Sequence, residues 1–162
     1  MPKISQKITP FLWFDNGKAE EAAEFYVSVF DNSRITSVLR SGEAGPGPKG
    51  SALTVGFQIE GQDFTALNGG GDFKFSWAVS FVVRCETQAE VDRYWASLVE
   101  GGGEHSQCGW LKDRYGLSWQ ITPDILIEMI HDSDPVKAGR VMQAMMQMGK
   151  IDIAALQTAY AG

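Results

Sequence analysis

The chain has 162 residues, 44% of them hydrophobic and 21% charged, with a formal net charge of −6. That length suits one compact domain, or two small units sharing a core, and the composition is that of a globular protein rather than a disordered or fibrous one. An acidic chain with no Lys/Arg run repels phosphate backbones and anionic membrane surfaces, and no apolar stretch approaches the roughly 20 residues that span a bilayer, so nucleic-acid and membrane partners are excluded as general functions.

Taken in order, Ile8 to Phe14 reads as a strand, with Pro10 at its start or on an edge because proline cannot donate to a ladder. Asp15-Asn16-Gly17 breaks it and offers a cap for a helix over Lys18 to Phe30, where Ala19, Ala22, Ala23, Tyr26 and Phe30 share one face. A strand over Arg34 to Leu39 is followed by a Gly/Pro-rich loop from Ser41 to Gly50. Ser51 to Ile59 and Asp63 to Leu67 then form a hairpin about Glu60-Gly61-Gln62.

After Asn68 to Asp72 (NGGGD) the pattern restarts. Ser76 to Val83 is predicted as a strand, and Thr87 with Glu90 as a capping box. The helix it opens carries Val91, Tyr94, Trp95 and Leu98 inward, and Gly101-Gly102-Gly103 stops it. The polar stretch to Gly109 leaves room for one brief strand. Trp110 to Arg114 and Leu117 to Thr122 flank Tyr115-Gly116 as a second hairpin.

Both halves thus read as strand, helix and further strands, closing on a turn glycine (Gly61, Gly116) and a last strand. The fold class expected is α+β: tandem βαβββ modules over residues 1–72 and 73–124, with a helical extension over 125–162, all in one structural domain. In that extension Ile125 to Ile130 could prolong the last strand or begin a helix. Asp134-Pro135 starts a helix over Val136 to Met148, and Asp152 caps a last one to about Tyr160. The stripe Ala138, Val141, Met142, Met145 and Met148 is read as packing, since methionine fills irregular gaps.

The N-terminus MPKISQKITPFLWFDNG meets Asp15 and Asn16 before any long apolar run and does not read as a signal peptide. The two cysteines, Cys85 and Cys108, are too few for a disulfide framework. A cytoplasmic protein with free thiols is expected.

The stretches PFLWFDNGKAEEAAEFYVSVF and GWLKDRYGLSWQITPD, and the tail DSDPVKAGRVMQAMMQMGKIDIAALQTAYAG, are similar to the PhnB-like family, which often carries a 3-demethylubiquinone-9 3-methyltransferase label. That family belongs to the glyoxalase/bleomycin-resistance (vicinal-oxygen-chelate) superfamily. The resemblance implies two half-barrel modules around a cavity, a homodimer, and a divalent ion held by His, Glu or Gln from the first and last strand of each module. Neither first strand carries a His or a carboxylate. The remaining ligand positions hold Thr65 and Gln120, where Gln120 takes the place of a Glu four residues after the turn glycine. One neutral amide does not hold a catalytic metal, and His105 and His131 lie elsewhere, so no metal and no other cofactor is predicted.

The expected function is therefore metal-free binding of a small molecule between the modules. Strand alternation sets Ser118, Gln120 and Thr122 on one face, suited to hydrogen-bonding a neutral ligand with Thr65. Trp13, Trp77 and Trp110 are its candidate aromatic walls, although any single tryptophan fits a core equally well. The alternative is a lyase, isomerase or dioxygenase with a reduced site, with Cys108 (three residues from His105) or Glu128 as catalytic candidates. A methyltransferase is disfavoured: neither GEAGPGPKG nor NGGGDF sits between a strand and a helix, where a cofactor-binding glycine turn belongs.

Overall fold

The computed structural model describes residues 6–162; the first five residues of the segment read above as no signal peptide lie outside the described ones. The chain divides into two compact units, Met1–Lys74 and Phe75–Gly162. Each carries one four-stranded sheet, and the helical tail belongs to the second. No described helix is long and apolar enough to cross a membrane.

The first unit runs β1 (Phe11–Phe14), α1 (Ala19–Val29), β2 (Arg34–Arg40), β3 (Ala52–Ile59) and β4 (Gln62–Asn68), with sheet order β1-β4-β3-β2. β1 lies parallel to β4, and the other pairs are antiparallel. Alternation sends Leu12, Phe14, Val55, Phe57, Ile59, Phe64 and Ala66 to the face that α1 covers with Ala19, Ala22, Ala23 and Tyr26, all of them buried. Tyr26 stacks on Phe57 at 6.0 Å and Phe57 on Phe64 at 5.4 Å. Each such side chain contributes about 1.5–3 kcal/mol by leaving water.

One local feature differs from the sequence reading, the cap of the first helix. The helix begins at Ala19, and its first free amide is capped from the far end of the unit: Asn68 Oδ1 accepts from Ala19 N at 2.9 Å. Asn16 Oδ1 accepts only from Lys18 N, just before the helix. The edge strand β2 is exposed along its whole length, and its pairing with β3 shifts register between Ile35 and Ser37 and again between Leu39 and Arg40. Bulges and terminal arginines of this kind discourage edge-to-edge pairing.

The second unit runs β5 (Ser80–Cys85), α2 (Gln88–Ser97), β6 (Glu104–His105), β7 (Trp110–Lys112), β8 (Ser118–Pro123), α3 (Asp124–Ile130), α4 (Pro135–Met146) and α5 (Ile153–Ala161), with sheet order β5-β8-β7-β6. The capping box forms: Glu90 N donates to Thr87 Oγ1 at 3.2 Å, and the Glu90 carboxylate accepts from Glu86 N at 2.6 Å. The opening strand lies four residues later than Ser76. Its parallel pairing with β8 runs from Ser80↔Ser118 to Cys85↔Pro123. Ser76 instead starts a turn, its hydroxyl accepting from Ala78 N and its carbonyl accepting from Ser118 Oγ. Apolar content alone could not separate that turn from the strand.

The open choice at Ile125 resolves as helix α3. It joins α4 and α5 around Leu126, Met129, Val141, Ile151 and Leu156, with Met145 of α4 and Met148 just beyond it packed against this cluster, while Met142 and Met146 of α4 are exposed. The tail is stitched to the short sheet by backbone bonds from Cys108 N to Met148 O and from Gly109 N to Gly149 O, both 2.8 Å. Gln88 holds it from α2, donating to Ile151 O at 3.0 Å and accepting from Ile153 N at 2.8 Å.

Candidate functional site

Each sheet has one face covered by its helix and one left open, and the predicted polar residues fall on the open ones. In the first unit Phe11 and Trp13 of β1 neighbour Thr65 and Leu67 of β4 on that face. Thr65 is half-buried, and Trp13 is 38% exposed. Trp13 is held in place: its Nε1 donates to Gly70 O at 2.8 Å, and its ring meets Phe73 edge-on at 5.3 Å. The ring also lies where a side chain at residue 69 would sit, 2.1 Å from an added Cβ, so Gly69 is required by close approach.

In the second unit the register places Gln120 beside Trp110 and Val82, Ser118 beside Lys112 and Ser80, and Thr122 beside Arg84. Gln120 Nε2 donates to Ser80 Oγ at 2.9 Å, which fixes the amide. Ser118 is fully buried, and its hydroxyl is spent on Ser76 O. Thr122 is half-buried at the end of the row. Trp77, in the turn before β5, meets Trp110 edge-on at 6.2 Å, and Lys112 Nζ sits 4.4 Å above the Trp77 ring. Gln120, Trp110, Trp77 and Lys112 are thus assembled on one open face. Lys112 is the member that the sequence reading did not single out; its alternation with Trp110 along β7 is the signal that points to it.

The catalytic candidates are carried by other segments than these side chains. Glu128 is exposed on α3. Cys108 is half-buried in the loop between β6 and β7, at a φ of 58°. His105 does not serve it: its ring stacks on Trp95 at 4.1 Å, and its Nε2 lies 2.7 Å from Trp95 O. Cys85 is buried, and that burial pushes its thiol up to about 12. A thiol of that kind is inert at neutral pH. A thiol-reactive disulfide reagent is therefore expected to modify Cys108 alone in the folded protein and both cysteines in denaturant. Rapid native modification of two thiols would contradict this.

A separate cleft of about 590 Å³ lies in the first unit, between Gly17 and Glu20 at the start of α1, Pro46 to Pro48 of the long loop, and Asn68 to Gly70. Its charged groups are paired within the unit. Arg40 bonds Glu20 at 3.0 Å, and Lys74 bonds Asp15.

The residues present do not fit the divalent ion of the superfamily. The ligand positions offer a threonine hydroxyl and a carboxamide, and no group of three or more His, Cys, Asp or Glu side chains comes together among the described residues. Divalent sites of catalytic strength need several anionic or imidazole donors on one ion.

The family model of 3-demethylubiquinone-9 3-methyltransferase matches residues 6–122. Among solved structures, the chain is similar to a PhnB protein from Bacillus cereus, with 41% identity over 73% of this chain and 99% of that one and a TM-score of 0.66. It is similar in fold to protein PA1353 from Pseudomonas aeruginosa (22% identity, 74% and 98% covered, TM-score 0.61). It also shares its fold with the fosfomycin resistance protein FosX from Mesorhizobium loti (11% identity, 72% and 90% covered, TM-score 0.50). No curated protein matches it. With two βαβββ units, a helical tail and these matches, the chain belongs to the PhnB-like 3-demethylubiquinone-9 3-methyltransferase family of the vicinal-oxygen-chelate superfamily.

Proposed function

We propose that this protein binds a small molecule on the open sheet face of its second unit, without a resident metal, as a cytoplasmic homodimer. The observation that carries the reading is Gln120. Its amide nitrogen is held by Ser80, its carbonyl oxygen is left to accept from a ligand, and Trp110 stands beside it in register. A fixed acceptor next to an aromatic wall recognises a ligand; it supplies no general base, nucleophile or Lewis acid. Solvent-exposed apolar side chains of the first unit's sheet, among them Phe11 at 57% and Leu39 at 58%, support a second copy as the partner. The free thiols suit a reducing compartment.

Adding small neutral compounds to isotope-labelled protein should move the backbone amide signals of Trp110, Lys112 and Gln120, and Gln120→Leu should abolish the effect with folding intact. Binders that move only signals of the first unit would overturn the reading.

The family's description supports a second reading, methyl transfer. The glycine-rich runs weigh against it. Residues 41–51 join antiparallel strands β2 and β3, and residues 69–79 lead from β4 to β5 with no helix between. A cofactor-binding glycine turn opens a helix. Heat of binding on titration with S-adenosylmethionine would favour this second reading, and its absence at high protein concentration would end it.

A further inference from the structure

We infer that the ligand of the open face in the second unit is a planar aromatic anion, a ring bearing a carboxylate or similarly placed negative oxygen. The inference rests on the binding reading above and adds the ligand's charge and shape.

Lys112 carries it. Its side chain is only 28% exposed, yet the acid it pairs with is Glu104 at a long 3.7 Å, itself 66% exposed. The other feature around the ammonium is the Trp77 ring at 4.4 Å. A cation over a ring face is stabilised by the ring's quadrupole without giving up its N–H donors. Lys112 therefore keeps donors to offer, and a ligand carboxylate would gain a charge-assisted bond on this half-buried surface. Arg84, the other cation of the open face, is already paired with Asp124.

The shape follows from the tryptophans. Trp77 and Trp110 meet at an interplanar angle of 66°, and Trp110 pairs in register with Gln120, whose neighbour on β5 is the half-exposed Val82. Aromatic edges and faces beside an apolar floor favour a flat ring. Cations are selected against, because the Trp77 face that would receive one already holds Lys112. A phosphate is poorly served by one ammonium with no arginine fork or glycine nest beside it.

The test uses three probes on the full-length protein: 2-naphthoate, its neutral amide 2-naphthamide, and cyclohexanecarboxylate. Binding is followed by tryptophan fluorescence and by the amide signals of Trp110, Lys112 and Gln120. Naphthoate should bind at least about tenfold more tightly than either control, a difference of about 1.4 kcal/mol. Lys112→Met should remove that preference, and Lys112→Arg should keep it, with unfolding midpoints unchanged. Equal affinity for naphthoate and naphthamide at these residues would overturn the inference while leaving the binding reading intact. If no probe moves these signals and neutral compounds fail there as well, both fall.

Discussion

A chain ending at Asp134 should fail to hold its second unit folded. The truncation removes Val141, Ile151 and Leu156, each essentially fully buried, and leaves Leu126 and Met129 of α3 facing water. At about 1.5–3 kcal/mol for each lost aliphatic side chain, the deficit is roughly 5–9 kcal/mol, which is comparable to the whole stability of a typical domain at about 5–15 kcal/mol. Polar losses add to it. Cys108 N and Gly109 N lose their carbonyl acceptors at Met148 and Gly149, and the Gln88 side chain loses both backbone partners. The expected result is loss of the near-ultraviolet circular dichroism of the second unit's tryptophans, with aggregation on expression. A soluble truncated chain with the intact protein's cooperative unfolding midpoint would show the tail to be an appendage.

The second large effect is expected at Asp113. This carboxylate is 2% exposed and accepts three N–H groups: Tyr115 N at 2.8 Å and Leu117 N at 3.1 Å on Oδ1, and Trp119 Nε1 at 2.9 Å on Oδ2. It ties the β7–β8 turn to the side chain beneath it, and so sets where Gln120 emerges one residue after Trp119. Asp113→Ala would leave buried donors unpaired at a cost of about 3 kcal/mol. That corresponds to a fall in Tm of about 6–12 °C for a chain of this size. Asp113→Asn should also destabilise the protein, because one amide group cannot accept all three bonds. Thermal unfolding followed by tryptophan fluorescence reads both variants, and an unchanged midpoint would mean the turn forms without its carboxylate.

The features legible in the sequence are those whose physics is local. The Thr87–Glu90 box, the Asp134 cap with Pro135 behind it and the Asp152 cap all form as read, because each involves residues within one turn of each other. The turn glycines Gly61 and Gly116 adopt φ of 79° and 88°. Strand alternation put Ser118, Gln120 and Thr122 in one row because a strand's period is fixed. Contacts between distant residues were hidden. The cap of α1 comes from Asn68, which is 49 residues beyond Ala19. Ser118 shares the row's orientation, but the segment at Ser76 covers it, and no periodicity reports that. The start of β5 was misplaced because Trp77 and Val79 are as strand-prone as the residues after them; the parallel register with β8 decides the boundary. Lys112 beneath its tryptophan is legible only once the turn before β5 is folded back beside β7.

Metal content decides whether this scaffold binds its ligand without a metal, as proposed. The full-length protein is incubated with excess Ni²⁺ or Mn²⁺, dialysed exhaustively and assayed for bound ion beside Gln120→Ala. Far less than one ion per chain is expected in both, since a hydroxyl at Thr65 and an amide at Gln120 offer no anionic donor. One tightly held ion per chain, lost on Gln120→Ala, would contradict it.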